Sequence, residues 1–544
     1  MEVAQDQQWI KDSLSLILDR TLTSVCRDPL SLNCGCFDRN WWHYRITDFP
    51  SLILQQATES LAVSINSGML PDDSASRELV QAGVRFWATR ARMRGSFEEY
   101  YPNERSFPAA AFSTLAIANV IRGGGGTDKQ TESALSTAAS RLTERAEELA
   151  ANQELAAIAA LARLNQIDGS LVPISVVASR LRGILSKQSN EGWFPEYYGA
   201  DTGYLSVSLD CLWEISDACP QLDCEEAKRR SFSYLANMVL AEIPSLATIN
   251  SRNTEYVVPY GIVRMVQDRE TSSTALEILR KLDEFNLVSP RKLMRIDDRY
   301  SCHYVGRSIA KAWEFLSREK SMTPEFLQNI AGPPQSSMPE AGVFHLTTDR
   351  SEAGAVHVWV ACKKGGSSVV SYSRERVAVD HGWRVQEGKR TFVSDWCAPD
   401  WVVTESSEHS VVVEGFLVPV TDVASTPLRH FVLRIAAAVL GRRLIPFLKK
   451  RLILKSNFQG PFLTRRVSIT SESVTVRDDI ANLTPLAIVN HAPKASLRHV
   501  ASADSWSDFD VMMDRGVLIH DESQRSSSTF TSVRQYLATR SVSP

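Results

Sequence analysis

Residues 192–212 read GWFPEYYGADTGYLSVSLDCL and set Trp193, Glu196, Tyr197, Tyr198, Asp201 and Tyr204 in a Gly- and Pro-punctuated loop before an apolar helical pattern begins. A core spreads its rings at helical or strand spacing. Rings crowded beside carboxylates in a loop make a surface for a flat, polyhydroxylated partner such as a sugar ring. The same rings could equally serve only to cap the mouth of a helical bundle. Four further loops share the style. Loop 35–50 carries Asp38, Trp41, His43, Tyr44 and Arg45, and loop 100–108 reads YYPNERSFP. Loop 250–261 carries Arg252, Asn253 and Tyr256, and loop 296–307 carries Arg299, Tyr300 and His303. Asn152 heads the helical pattern NQELAAIAALARL, where Asn is either a polar group offered to a site or simply a good N-cap.

Asn, Arg, Tyr and His brought together suit an acidic sugar, and β-elimination from a uronate uses those residue types. The carboxylate must be neutralised so that the proton on the adjacent carbon becomes acidic, which is work for Asn, Arg or a protonated His. A base takes that proton and an acid protonates the leaving oxygen; Tyr and His are suitable for both. Tyrosine's ordinary pKa of about 10 is a handicap that a neighbouring Arg reduces. Arg252 beside Tyr204 or Tyr256 would fit this scheme.

The elements that must position these loops fall into two regimes. Up to about residue 330 the chain is rich in Ala, Leu, Glu and Arg in blocks of helical period, among them 109–121, 131–165, 174–186, 205–216, 225–243, 271–285 and 307–317. Many helix pairs joined by short loops, with no strict repeat, predict a closed (α/α) toroid whose rim loops converge on a central cleft. Segment 331–342, AGPPQSSMPEAG, reads as a linker. Beyond it come alternating and β-branched runs at 355–361, 367–373, 411–418, 466–469 and 473–476, which predict an antiparallel β-sandwich over 343–544. The expected architecture is therefore α+β and multidomain: a toroid over 1–330, the linker, and the sandwich.

One insertion interrupts the sandwich pattern. Residues 427–455 read PLRHFVLRIAAAVLGRRLIPFLKKRLILK, helical and basic, and no Asp or Glu occurs between Asp422 and Glu472. Such a stretch suits a polyanion, an anionic membrane surface in peripheral contact, or an acidic face of the toroid.

The bulk numbers narrow the class. At 544 residues, 44% hydrophobic and 23% charged, the chain has the composition of a globular protein with a large core. A net charge of −3 gives no global pull toward nucleic acid, which is not expected as a partner. Nine irregularly spaced cysteines give neither a disulfide framework nor zinc-ligand pairs. The Gly run at 123–126 lacks the Lys-Ser/Thr of a phosphate loop. No metal and no cofactor is expected. The acidic, amphipathic start MEVAQDQQWIKDSLSLILDR does not read as a secretory signal, and no run reaches the roughly 18 apolar residues of a span, so a cytoplasmic location is expected.

The same residues resemble the heparinase II/III-like polysaccharide lyases. The resemblance follows the order toroid, linker, sandwich over most of the chain. It is clearest in GWFPEYYGADTGYLSVSLDCL, in SRNTEYVVPYG, and in FLTRRVSITSESVTVRDDI, an Arg-Arg strand followed by a strand ending in Asp. It implies β-elimination by an Asn and a Tyr from the toroid together with a His, with Asn152 matching the helix-opening Asn and Tyr204 the loop Tyr. The chain departs from the family where a His-x-His-x-x-Asp-like signature is expected: SYSRERVAVDHGWRVQEGKRTFVSDW holds one histidine, His381, and ends in Asp395-Trp396. Either His303 or His381 takes the histidine's part, or elimination is impaired.

The sequence thus assigns Tyr204, Asn152, His303, His381 and Arg252 to chemistry. It assigns Trp193, Glu196, Tyr198, Asp201, Trp41, His43, Arg45, Asn253, Tyr256 and Arg299 to binding an acidic polysaccharide or oligosaccharide. Two other functions stay open. One is a toroid glycoside hydrolase working through paired carboxylates such as Glu196 and Asp201. The other is a glycan-binding or glycan-assembly protein without lyase activity.

Overall fold

The computed structural model of the chain describes residues 7–92, 97–318, 337–348, 356–372, 375–420, 426–445, 447–448, 458–471, 473–492 and 518–537. Up to residue 318, twelve helices of six residues or more alternate between two layers. The outer layer is α1 (Gln8–Ser24), α3 (Ser74–Ala91), α5 (Lys129–Thr143), α7 (Ile174–Leu185), α9 (Glu225–Leu240) and α11 (Ser272–Phe285). The inner layer is α2 (Ala57–Asn66), α4 (Phe107–Arg122), α6 (Ala151–Ile167), α8 (Thr202–Ala218), α10 (Tyr260–Met265) and α12 (Tyr304–Arg318). Each inner helix packs on the next and α12 closes back on α2, so the six form a ring. Outer helices α3 to α11 each lie against the inner helix before them, and α1 lies against α12. This is the expected closed toroid.

Sequence explains the layering. Inner helices such as α4, FPAAAFSTLAIANVIR, and α6, ANQELAAIAALARLNQI, are apolar on nearly every side and are buried all round, with alanines that let neighbours approach closely. Outer α9 instead carries a single buried stripe through Ala227, Ser231, Leu235 and Met238. The block at 131–165, read from sequence as one helical pattern, is two helices. The break falls at 144–150, where Glu154 from the first turn of α6 reaches back to accept the Glu147 N–H at 2.7 Å.

The C-terminal region contains three antiparallel sheets. The first holds β1 (Val343–Thr347), β2 (Val356–Ala361), β3 (Ser367–Tyr372) and β4 (Glu375–Asp380) in sequential order. Trp359, Ala361 and Val369 on one face join the toroid core, while Val358, Val360 and Val370 on the other join the sandwich core. Burial on both faces is why 356–361 reads as an almost unbroken apolar run. The second sheet orders β12 (Ile488–His491), β5 (Trp383–Glu387), β6 (Arg390–Val393) and β9 (Val418–Val420). The third orders β13 (Leu518–Arg525), β14 (Phe530–Leu537), β11 (Ser473–Ala481), β10 (Phe462–Ile469), β8 (Ser410–Phe416) and β7 (Val402–Ser406).

Period-2 alternation sets β10 against β11 so that Arg465 stands opposite Asp478, both at core positions. Arg465 Nε donates to Asp478 Oδ1 at 2.6 Å, Arg534 of β14 bridges Asp478 (2.6 Å) and Asp380 (2.9 Å), and Trp383 Nε1 donates to Asp478 at 2.8 Å. Burial works against ionisation of Asp380, but Arg534 and Arg465 hold it well below the usual carboxylate range. The Arg-Arg and Asp strands of the sequence are therefore a buried ion-pair network that ties the three sheets together.

The sandwich docks on the toroid rim at the aromatic loop and at 246–253. Buried Lys364 donates to the carbonyls of Ala247 (2.8 Å) and Asn250 (3.1 Å) and to Asn253 Oδ1. Residues 331–336 of the expected linker lie outside the described residues; just after them Glu191 accepts from the Glu340 and Ala341 N–H groups, each at 2.8 Å. In the insertion, α13 (Pro427–Leu440) and the turn after it lie on the same rim, where Arg434 pairs with Asp48 at 2.8 Å; positions 449–457 lie outside the described residues. Among the described residues no helix is long and apolar enough to cross a membrane.

Candidate functional site

The N-terminal ends of four inner helices meet at a cavity of about 230 Å³. Helix α4 supplies Ser106 and Phe107, α6 supplies Asn152 and Gln153, α8 supplies Tyr204, and α12 supplies Tyr304 with His303 just before it. Tyr100, Tyr101 and Tyr197 come from rim loops, and Ile445 and Leu448 from the insertion. The volume lies below the roughly 300–1,000 Å³ of most small-molecule sites and suits a single ring with its substituents. Converging helix N-termini favour an anionic one, because aligned peptide dipoles turn their positive ends toward it.

Local sequence explains how each group arrives. The α8 helix is capped by Asp201, whose Oδ1 accepts the Tyr204 N–H at 3.0 Å. Asp201 also takes the Arg252 N–H at 2.9 Å and the Thr254 hydroxyl, so it is tied to structure rather than to substrate. Gly203 lets the first turn of α8 lie against 254–256; a Cβ there would meet Thr254 Oγ1 and the Tyr256 carbonyl. Asn152 is not the N-cap of α6, as its sequence position suggested: Ala150 holds that place. The Asn152 N–H is instead satisfied from another loop, by Glu196 Oε1 at 2.7 Å. The Asn152 amide is thereby released from capping, and its Oδ1 is buried at the cavity with no partner.

His303 is 5% exposed, packs edge-on against Tyr304 with ring centroids 4.2 Å apart, and has no partner for Nδ1. Burial, and secondarily the Arg299 charge, hold its pKa well below the usual histidine value, so the imidazole is neutral at pH 7. Tyr256 and Tyr304 share a 2.5 Å hydroxyl contact behind it, and burial raises the Tyr256 pKa well above the usual phenol range. The cavity also holds carboxylates that the sequence reading passed over. Glu104 accepts the N–H groups of Glu99 (2.9 Å) and Tyr100 (2.7 Å), while Glu99 accepts from the Ser106 hydroxyl (2.6 Å) and from Arg299 (3.2 Å). Burial first, and then the charge of Glu99, push Glu104 up to about 8, so one of the two acids carries a proton at neutral pH. Segment 97–106 signalled this only faintly: Glu98, Glu99 and Glu104 stand beside Tyr100 and Tyr101, ahead of a Ser-x-Pro helix start.

The remaining predicted residues divide into three groups. Glu196 and Arg252 form a supporting layer: the Arg252 guanidinium stacks 4.7 Å over the Tyr197 ring, and burial raises the Glu196 pKa well above the usual carboxylate range. Arg299 lines an adjoining cleft of about 770 Å³ that shares Glu99 and Tyr100 with the deep cavity and also takes Asp38 and Tyr44. The others lie outside both linings. Trp193 donates to Glu191 and packs under Lys363, where the sandwich docks, and Asn253 receives Lys364. Trp41 packs on Phe86 and under Arg90, His43 stacks between Trp42 and Tyr44 in the open, and Arg45 is exposed. His381 sits in the turn between β4 and β5, beside Asp380 of the sandwich network, and not in the lining of the cavity.

Backbone strain gathers at this mouth. Asn103 (φ 62°), Arg105 (54°), Tyr197 (50°) and its neighbour Tyr198 (82°) all take the left-handed region. Each costs on the order of 1–3 kcal/mol unless its surroundings hold it, a pattern that concentrates at functional sites. Among the described residues no three His, Cys, Asp or Glu side chains group as metal ligands.

No protein-family model matches the chain, and no curated protein matches it. Among solved structures the chain is similar to a crystal structure of heparinase III, at 10% identity over 96% of this chain and 88% of that one, with a TM-score of 0.41. A likeness that loose leaves the chemistry to be argued from this chain's own residues.

Proposed function

We propose that the deep cavity binds an acidic sugar unit of a glycan and cleaves its linkage by β-elimination. The observation that carries this reading is that Asn152, Tyr204 and His303, from three different inner helices, line one small cavity at positive helix ends. Asn152, with its amide unengaged, is placed to hydrogen-bond the uronate carboxylate; rotating the amide presents Nδ2 or Oδ1 as needed. Neutral His303 accepts the proton from the carbon beside that carboxylate, and the bound anion raises its basicity. The carbon–oxygen bond to the leaving sugar then breaks, a carbon–carbon double bond forms in the acidic ring, and the Tyr204 hydroxyl gives its proton to the leaving oxygen. Arg299 and Tyr44 in the adjoining cleft offer room and charge for neighbouring sugars.

A hydrolase is the second reading, favoured by Glu104, raised to about 8 and so able to donate a proton, standing beside a second carboxyl group, Glu99, since a pair of carboxyl groups is what glycoside hydrolysis uses. One experiment separates the readings: incubate the protein with a panel of uronate-containing polysaccharides and follow ultraviolet absorbance and new reducing ends together. Rising absorbance from a conjugated double bond is the expected result. New reducing ends without absorbance establish the hydrolase. Binding with neither signal leaves a glycan-binding protein.

A further inference from the structure

We infer that α13 docks this protein on an anionic lipid bilayer, which holds the mouth of the cavity at the membrane surface. Leu428, Phe431, Val432, Ile435 and Val439 fall on one side of α13 within an arc of about 100°, and they are 71, 61, 57, 50 and 78% exposed. Ala437 lies on the opposite side and is 1% exposed. The helix is therefore already seated on the toroid by its small-residue face, with Arg434 anchored to Asp48, and its large apolar side chains point away from the protein. A stripe of that kind is not needed for folding, since nothing in the described fold covers it.

Charge decides what would cover it. Residues 427–455 hold eight Lys and Arg and no Asp or Glu. A second copy of the same face would bring two such segments together without a counter-charge. A soluble polyanion would answer the charge but not the apolar stripe. A bilayer containing anionic lipid answers both: acyl chains take the stripe and headgroups take the cations. The same insertion continues into Ile445 and Leu448, which line the cavity, so docking sets the cavity next to the membrane. Resting on the glycan reading above, this names the substrate class as an acidic glycan presented at a membrane, such as one carried on a lipid.

The test is flotation of the full-length protein with vesicles of phosphatidylcholine alone and with one third phosphatidylglycerol. Binding is expected only to the anionic vesicles, weakening as salt rises. Phe431→Asp with Ile435→Asp, and separately Val439→Asp, are expected to cut the bound fraction at least tenfold while leaving the melting temperature unchanged, because these side chains are exposed. Failure of the unaltered protein to float with anionic vesicles at low salt would overturn the proposal. So would apolar-face variants that float as well as the parent, or a parent that is dimeric where Val439→Asp is monomeric and neither floats. None of these results depends on cleavage, so the docking and the glycan reading fail separately.

Discussion

Within the ring of inner helices, Glu214 in the last turns of α8 receives Arg307, Lys311, Arg163 and Asn119, and Glu59 in the first turn of α2 receives Arg307 and Asn119. Burial alone would push Glu214 up, but the three cations hold it well below the usual carboxylate range. At the cavity, Asn152 Oδ1 and His303 Nδ1 are buried with no partner, as is Glu196 Oε2 in the loop behind Asn152. The two regions share a ring and are about equally buried, yet the first pairs its buried carboxylates with cations, while the second turns an uncommitted amide and a neutral imidazole toward a cavity. Burial alone therefore does not identify a site; what sets the cavity apart is that an uncommitted amide and a neutral imidazole meet there beside tyrosines from two helices.

Five changes break or sharpen this contrast. Tyr204→Phe should lower turnover by about 10²–10⁴-fold if the hydroxyl is the acid, and shift stability by only about 1 kcal/mol. Steady-state rates set beside a melting curve check both. Arg307→Met, in the ion cluster, should do the reverse: it strips a counter-ion from the two buried carboxylates Glu59 and Glu214 and should cost about 3–5 kcal/mol in denaturant unfolding. Asn152→Ala should reduce turnover by about 10²–10³-fold through loss of a charge-stabilising donor, yet leave stability nearly untouched, because Glu196 still satisfies the backbone at that position.

Glu104→Gln tests the acid pair through pH. The folded-state pKa of Glu104 is raised, so between about 4.5 and about 8 the native state keeps a proton that the unfolded chain has released. Stability should therefore fall as pH rises through that window. The Gln variant should remove at least about 1.4 kcal/mol, the worth of one pKa unit, from the stability change across that window; denaturant unfolding at the two ends of the window measures it. The smallest effect is expected from His381→Ala, which lies outside the cavity lining and should leave turnover within about twofold. A large loss there would move the chemistry toward the sandwich.

Much of this was legible in the chain. Alanine-rich helical blocks without a strict repeat predicted the closed ring, and alternating β-branched runs predicted the sheets. Tyr204 and His303 were legible because each stands in a ring-rich loop immediately before or at a helix start. Asn152 was legible as a candidate with two readings, a cap or a group offered to a site, and only the Glu196 contact from a distant loop shows the amide to be uncommitted. Glu99 and Glu104 were passed over because a carboxylate in a loop is ordinary until burial and a like-charged neighbour change its protonation. Trp193, Asp201 and Asn253 looked like binding groups because docking, capping and turn positions call for the same residue types as sugar sites.

Sequence by itself determined the two-part architecture, the position of the aromatic loops at helix starts, and the charge and amphipathic pattern of the insertion. Each of those is a property of neighbours along the chain: helical or strand period, turn residues, and runs of one charge. The tertiary structure alone decided that Asn152, Tyr204 and His303 share a cavity, that Arg465 and Asp478 satisfy each other in the sandwich core, and that the apolar side of α13 faces outward. Those are meetings between residues tens to hundreds of positions apart. Ring closure and strand register create them, and local pattern carries no record of which partners they bring together.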